Sequence, residues 1–226
     1  MDGCNGDATY PPREFVLKTD FLFAEGRESA LAREASHYDV AAPLQGLVIP
    51  TCYGLFEAEP QGVPFARRIR CLLLEYCGAP LRTRKLSQIP RQMKARIIDK
   101  AFYFHDMTAM AHGNLWDGHL LARGGTKRPI THDKSSLHPL VDANVHAPTS
   151  PYAPLHPFGD PNIHARADPA PDAEPFFVDL SECRQHACRC TMEVVEGDPR
   201  PSPSEFRCKE IWELVNALGV WGEEGE

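Results

Sequence analysis

The chain has 226 residues and an apolar fraction of 42%, which suits one large domain or two small ones with a buried core. Its formal net charge of -7 argues against bulk attraction to nucleic acid or to anionic lipid. No apolar run approaches the roughly 20 residues that span a bilayer, so neither nucleic acid nor a membrane is an expected partner.

The amino-terminal residues and the cysteines predict a cellular compartment. MDGCNGDATYPPREF lacks the basic start and apolar stretch of a secretory signal. The eight cysteines are scattered singly, except for a cluster at Cys183, Cys188 and Cys190. Together these features predict an intracellular, cytoplasmic protein with reduced thiols.

The first third of the chain alternates strand and helix patterns. REFVLK (13–18) has the pattern of a short strand that ends on Lys18, and residues 25–40 have the period of a helix. Segments 48–59 and 67–77 are apolar, short and separated by a Gly/Pro turn, which indicates two further strands. The predicted helix has one apolar face with a carboxylate beside it, formed by Leu31, Ala35, Tyr38 and Glu34.

The remainder of the chain predicts helices separated by a long irregular segment. Residues 90–111 repeat apolar side chains at helical spacing and are followed by His-Gly. HLLA (119–122) and RPIT (128–131) predict a small hairpin across a Gly-Gly turn. Residues 139–175 are rich in proline and predict an extended or disordered loop. A final helix is predicted to begin with a capping box from Ser202 to Glu205.

This order of elements resembles a protein kinase. CLLLEYCGAPL (71–81) is similar to the fifth strand and hinge of kinases, and HGNLWDGHLL (112–121) is similar to their catalytic loop. LQGLVIP (44–50) is typical of short kinase-like proteins common in fungi. The resemblance implies an α+β, truncated two-lobed fold, with a small antiparallel sheet and one helix joined to a mainly helical lobe.

The resemblance also implies a division of the chain. Residues 13–138 would form the kinase-like core, with the amino-terminal lobe at about 13–77 and the hinge and start of the second lobe at 78–138. A proline-rich loop or disordered segment would cover 139–180, and 181–221 would complete the helical lobe.

Nucleotide-binding roles follow from the same resemblance. Lys18 would reach the α- and β-phosphates of ATP, and Glu34 would hold the lysine in place. Backbone groups of Glu75 and Cys77 would contact adenine. His112 would occupy the first place of the catalytic loop. ATP is therefore the expected ligand.

The chain departs from the kinase pattern at the positions that carry the chemistry. Asn114 occupies the place of the proton-accepting Asp, and an amide is not a base at neutral pH. His119 occupies the place of a magnesium-binding Asn, although magnesium prefers oxygen ligands. The place of the metal-binding Asp falls on Thr131, or on Asp133 in a register shifted by two residues. No Gly-rich loop or Ala-Pro-Glu motif is recognisable.

These departures predict a pseudokinase that retains ATP binding at most, holds magnesium poorly and acts as a binding or regulatory module for an unknown protein partner. Three alternatives stay open. The first is an active atypical kinase that uses Asp117 or Asp133. The second is a small metal-binding module. The third is a scaffold that recruits partners through PTSPYAP (148–154) and DPRPSP (198–203). The candidate metal ligands of the second alternative are Cys183, His186, Cys188 and Cys190.

Overall fold

A computed structural model of the chain describes residues 14–22, 29–59, 68–81, 86–115, 118–124 and 172–222. Within these ranges the fold is α+β, with small antiparallel sheets and four α-helices. The strands are β1 (Phe15–Leu22), β2 (Cys52–Ala58), β3 (Arg68–Glu75), β4 (Ala79–Pro80), β5 (Met110–Ala111), β6 (Leu120–Arg123), β7 (Glu174–Phe177) and β8 (Arg184–Gln185). The helices are α1 (Ala30–Val40), α2 (Arg91–Thr108), α3 (Pro203–Phe206) and α4 (Lys209–Ala217).

The first sheet has the strand order β1-β3-β2, and α1 packs beside it. Alternate residues of β1 point to opposite faces, as a strand requires. Residues 15, 17, 19 and 21 are exposed, whereas 16, 18 and 20 are partly covered. Lys18 pairs in register with the fully buried Leu72 of β3, so its side chain starts on the covered face of the sheet.

Helix α1 turns its buried face towards the same side. The Ser29 side chain caps the helix by accepting a hydrogen bond from the Ala32 N–H at 3.2 Å. Leu31, Glu34 and Tyr38 are buried at helical spacing. The periodicity predicted a start at residue 25. The helix begins at Ala30 instead, because Ser29 supplies the cap.

Helix α2 runs through the hydrophobic core and ends earlier than predicted. Its buried side is formed by Met93, Lys94, Ile97, Ile98, Ala101, Phe104 and His105. The helix stops at Thr108 because Ala109 adopts a left-handed conformation (φ 50°), and residues 110–111 then pair with β8. The helix predicted over 90–111 is thus confirmed in position, but its predicted end lies three residues beyond Thr108.

The second sheet has the order β4-β6-β7 and corrects the predicted end of the proline-rich loop. Strand β6 pairs with β4 along one edge and with β7 along the other. The predicted partner of HLLA, RPIT (128–131), lies outside the described residues, so that hairpin stays a prediction. Residues 174–182 contain β7 and a short 3-10 turn, so the loop predicted over 139–180 ends before its predicted boundary. The rest of that loop lies outside the described residues.

The terminal helical region divides into two helices instead of one. The predicted capping box is present: the Glu205 N–H donates to Ser202 Oγ at 3.3 Å, and the Ser202 N–H donates to Glu205 Oε2 at 2.8 Å. Arg207 then adopts a left-handed conformation (φ 60°), which ends α3 and lets Cys208 begin α4. The apolar face of this region is buried, and it consists of Cys208, Ile211, Leu214, Val215 and Leu218.

One cluster of buried apolar side chains links these elements, with members on α1, β3, α2, β6, β7 and α4. In the described parts of the chain, no helix has both the length and the apolar character needed to cross a bilayer.

Candidate functional site

Lys18 lies at the centre of a charged cluster formed by β1, α1 and the turn after β7. Its Nζ is 2.5 Å from Glu34 Oε2 and 3.1 Å from Asp179 Oδ1. The Glu34 side chain is 1% exposed, whereas those of Lys18 and Asp179 are 31% and 32% exposed. The ammonium group therefore joins a buried carboxylate to one that solvent and a small ligand can reach.

The turn after β7 positions Asp179. Phe176 and Phe177 of β7 are buried, and they anchor the strand in the core. Asp179 then takes a left-handed backbone conformation (φ 65°), which is uncommon for a residue with a side chain. Its Oδ1 accepts a hydrogen bond from Ser181 Oγ at 2.9 Å. The next turn residue, Leu180, is tied to α1 twice: its backbone N–H donates to the Glu34 carboxylate, and its carbonyl lies 2.6 Å from His37 Nδ1.

The pKa values of the two carboxyl groups beside Lys18 are shifted in opposite directions. Burial is the largest influence on Glu34, and it raises the pKa of that group above 4.5 although Lys18 opposes the shift. Burial also acts to raise the pKa of Asp179, but Lys18, Ser181 and His119 together outweigh it, and the pKa lies below 3.8. Asp179 is thus the accessible and fully ionised carboxylate of the pair.

A second group of contacts ties the His-Gly-Asn segment to the strand that precedes Asp179. His112 is fully buried, and its Nε2–H donates to the Val178 carbonyl at 3.0 Å. Burial lowers the pKa of His112 to about 4, so the ring is neutral at pH 7. The backbone N–H groups of His112 and Gly113 donate to the Glu210 carboxylate at 2.9 and 2.5 Å. Glu210 of α4 therefore binds the backbone of this segment, and the His112 side chain binds the residue that follows β7.

His119 connects Asn114 to Asp179. His119 Nδ1 is 2.8 Å from the Asn114 carbonyl, and Nε2 is 3.3 Å from Asp179 Oδ2. Both ring nitrogens thus face oxygen atoms that accept hydrogen bonds, and only the doubly protonated ring donates to both.

Glu75 and Cys77 lie where β3 leads into β4. The Glu75 carboxylate accepts from Thr51 Oγ1 at 2.8 Å and pairs with Arg123 at 2.9 Å, so its side chain is occupied within the fold. Cys77 is fully buried, and burial raises the pKa of its thiol to about 12. The kinase resemblance implies that backbone groups of these two residues contact adenine, and this role stays a prediction.

Lys18 lies in contact with Glu34, and His119 lies beside Asp179, the second partner of Lys18. His112 contacts the Val178 carbonyl, next to Asp179 in sequence. The second carboxylate beside Lys18 belongs to Asp179, which the sequence analysis did not name, and the places of Thr131 and Asp133 stay predictions. Those two residues and Asp117 lie outside the described residues. The sequence carries a signal for Asp179, since EPFFVD is a short apolar run that ends on an aspartate. That signal is hidden because the proline-rich segment separates it from His119.

Neither protein-family models nor curated proteins match this chain.

Proposed function

We propose that the chain is a kinase-like protein that binds the phosphates of a nucleoside triphosphate at Lys18 and is impaired in phosphoryl transfer. The observation that carries this proposal is the contact of Lys18 Nζ with both Glu34 and Asp179. A kinase needs these three roles together: a cation for the phosphates, a carboxylate that orients the cation, and a carboxylate for magnesium.

The chain order of the site supports the same proposal. The lysine precedes the glutamate, and His-Gly-Asn, β6, β7 and Asp179 follow in the order that the kinase resemblance implies. The proposed fold is accordingly a truncated two-lobed kinase, in which the β1-β3-β2 sheet with α1 forms the smaller lobe. The proline-rich stretch then corresponds to an insertion between two adjacent strands.

The proposed ligand contacts use the accessible side of the cluster. Lys18 keeps Glu34 as its partner and offers its remaining N–H donors to the phosphates. Asp179 fits magnesium because its carboxylate is a hard oxygen ligand and is ionised, whereas the His119 imidazole is a poor ligand for that ion. A bound magnesium ion would neutralise charge on the β- and γ-phosphates. Backbone groups of Glu75 and Cys77 would contact adenine.

The proposed impairment rests on Asn114 and His119. The amide of Asn114 can orient a hydroxyl group but cannot take its proton. General base catalysis typically contributes about 100- to 10,000-fold to a rate, so its loss alone leaves little transfer. His119 replaces a second metal ligand by a ring that hydrogen bonds to the Asn114 carbonyl.

A thermal-shift titration with ATP, with and without magnesium, tests the proposed binding. A ligand at 100 times its Kd adds about 2.7 kcal/mol to the free energy of unfolding, so a clear rise in Tm is expected for the wild type. Lys18→Met should abolish the rise, whereas Asp179→Asn should remove its magnesium-dependent part. Lys209→Met is the matched control, because Lys209 is 81% exposed and pairs with Glu213 on α4. Equal loss in both lysine variants, or no rise in the wild type, would refute the proposal.

An active atypical kinase is the second candidate, and Asp179 is the observation that favours it. The sequence had offered no secure metal carboxylate, and Asp179 supplies one beside Lys18. Transfer of phosphate from labelled ATP by the purified protein decides between the two candidates. Magnesium-dependent transfer that both Lys18→Met and Asp179→Asn abolish would establish the active enzyme.

A further inference from the structure

Four nitrogen and sulfur side chains converge between α2, α4 and the irregular segment after β8. They belong to His105, His186, Cys188 and Cys208, and one ligand atom from each lies within 4.8 Å of all the others. His105 and Cys208 are buried, whereas His186 and Cys188 are partly exposed. We propose that this Cys2His2 cluster binds one structural zinc ion. The proposal is independent of the nucleotide site.

Two distances from the Cys208 sulfur agree with tetrahedral coordination. Zinc binds sulfur at about 2.3 Å and imidazole nitrogen at about 2.0–2.1 Å, so a tetrahedral site separates sulfur from nitrogen by about 3.5 Å. Cys208 Sγ is 3.5 Å from His186 Nε2 and 3.7 Å from His105 Nδ1. Both separations match the tetrahedral edge to within a few tenths of an ångström. The partly exposed residues provide a route by which an ion can enter.

Contacts outside the cluster direct one ring towards the proposed ion. His105 Nε2 lies 2.6 Å from Glu210 Oε2, which fixes its proton on the carboxylate side and leaves the Nδ1 lone pair facing Cys208. Such carboxylate–histidine contacts typically accompany histidines that bind metal. Glu210 is itself fixed by the backbone N–H groups of His112 and Gly113. A ligand of the proposed ion is thus held by a carboxylate that is already oriented.

Three backbone features bring distant segments to this point. The pairing of β5 with β8 places residue 186 beside the end of α2, where the His186 N–H donates to the Ala109 carbonyl at 2.8 Å. The left-handed conformation of Arg207 turns the chain so that Cys208 begins α4. Residues 186–195 have no regular secondary structure. A metal ion joining His105, His186 and Cys208 would fasten this irregular segment to two helices.

The ligand set differs from the one that the sequence suggested. His186 and Cys188 were among the four candidates of CRQHACRC, but Cys183 and Cys190 lie outside the cluster. Their places are taken by His105 of α2 and Cys208 of α4. The irregular segment supplies two ligands, and the other two come from α2 and from the N-cap of α4. This agrees with zinc sites in general, which join ligand pairs from separate segments.

Metal content and cobalt substitution test the proposal on the full-length protein under reducing conditions. The wild type should contain one zinc per chain. Cobalt added after chelation should give the visible absorption of a tetrahedral ion and thiolate-to-cobalt charge transfer. Cys188→Ser should weaken metal binding by about 100-fold or more, since loss of an outer partner alone typically costs about 10–100-fold. Glu210→Gln should fall within that 10–100-fold range.

Matched variants separate the proposed site from other thiols and from the nucleotide site. Cys190→Ser changes a neighbouring, partly exposed cysteine and should leave affinity and spectrum unchanged. Lys18→Met should also retain one metal ion per chain, whether or not it binds ATP. A wild-type protein that takes up no stoichiometric zinc or cobalt would overturn the proposal and leave a metal-free hydrogen-bond network. Equal loss of binding in Cys190→Ser and Cys188→Ser would overturn it as well.

Discussion

Replacing Lys18 by methionine removes the charge at the centre of the cluster while keeping a long unbranched side chain. The buried Glu34 carboxylate then loses the cation 2.5 Å away. Removing one partner of a buried ion pair typically costs about 3–5 kcal/mol, because the other charge is left without compensation. Lys18 is 31% exposed, so water screens the pair and replaces part of the contact. We expect the free energy of unfolding to fall by about 1–3 kcal/mol at pH 7.

The pH dependence of this loss identifies its cause. Burial already raises the pKa of Glu34, and without Lys18 the pKa rises further. A carboxyl group whose pKa is raised on folding stabilises the folded state below its unfolded pKa, and that contribution is lost as pH rises. The penalty at pH 7 has a ceiling of about 3.4 kcal/mol, which is the free energy of protonating a carboxyl group of pKa 4.5. The deficit of Lys18→Met should therefore shrink as pH falls from 7 towards 4.5.

Asp179 contributes to the same trend. Its pKa lies below 3.8 in the folded protein, so it stabilises the fold above that pH and loses this effect on acidification. Removal of Lys18 weakens this contribution most where the carboxylate is ionised. The two carboxyl groups therefore both make the deficit larger at pH 7 than in acid.

Urea unfolding at constant ionic strength measures the effect for the wild type, Lys18→Met, Glu34→Gln and the double variant. Glu34→Gln removes the buried charge, so the double variant should regain part of the stability that Lys18→Met loses. The coupling energy between residues in contact falls typically at about 0.5–3 kcal/mol. A deficit that stays constant between pH 7 and pH 5, or strictly additive single variants, would refute the reasoning.

Three further predictions concern the segment from His112 to His119 and the backbone. Asn114→Asp alone should leave phosphoryl transfer close to the wild-type level. Asn114→Asp combined with His119→Asn should give measurable magnesium-dependent transfer from labelled ATP. No gain in the double variant would show that the chain lacks more than these two residues. Because the pKa of His112 is depressed from 6.5 to about 4, the wild type should lose up to about 3 kcal/mol as pH falls through that interval, and His112→Asn should lack this slope in urea titrations. Gly78→Ala should lower the free energy of unfolding by more than about 3 kcal/mol, since the new Cβ would lie 2.0 Å from a backbone oxygen. Gly197→Ala is its control, with similar positive φ but open space around it, and should cost only about 1 kcal/mol; equal losses would contradict the steric explanation.

Several parts of the fold were predictable because they depend on neighbours in sequence. Helical spacing of apolar residues predicted α1 and α2, and the Ser202–Glu205 capping box predicted the start of α3. Element ends were less predictable. Ala109 and Arg207 terminate helices in left-handed conformations that their residue types do not favour, so the surrounding contacts decide them.

The candidate site was predictable where its residues occur within recognisable elements. Lys18 on a short strand and Glu34 on the next helix were expected to meet, and their side chains lie 2.5 Å apart. Asp179 was missed because β7 pairs with β6 from across the proline-rich segment. The sequence pattern favoured RPIT as the nearer partner, since a short hairpin costs less loop entropy than a distant pairing.

The sequence by itself determined the helices with strong apolar period, since these depend on local spacing, and its resemblance to kinases implied the α+β class and the meeting of Lys18 with Glu34. Only the tertiary structure decided that Asp179 completes the charged cluster and that His105 and Cys208 join His186 and Cys188. Those contacts cross about 20 to 160 residues of chain, and no periodicity encodes a contact at such separation. They form because the buried apolar faces of the helices and strands have one mutual arrangement that fills the core. That arrangement also fixes the positions of the polar groups at the ends of those elements.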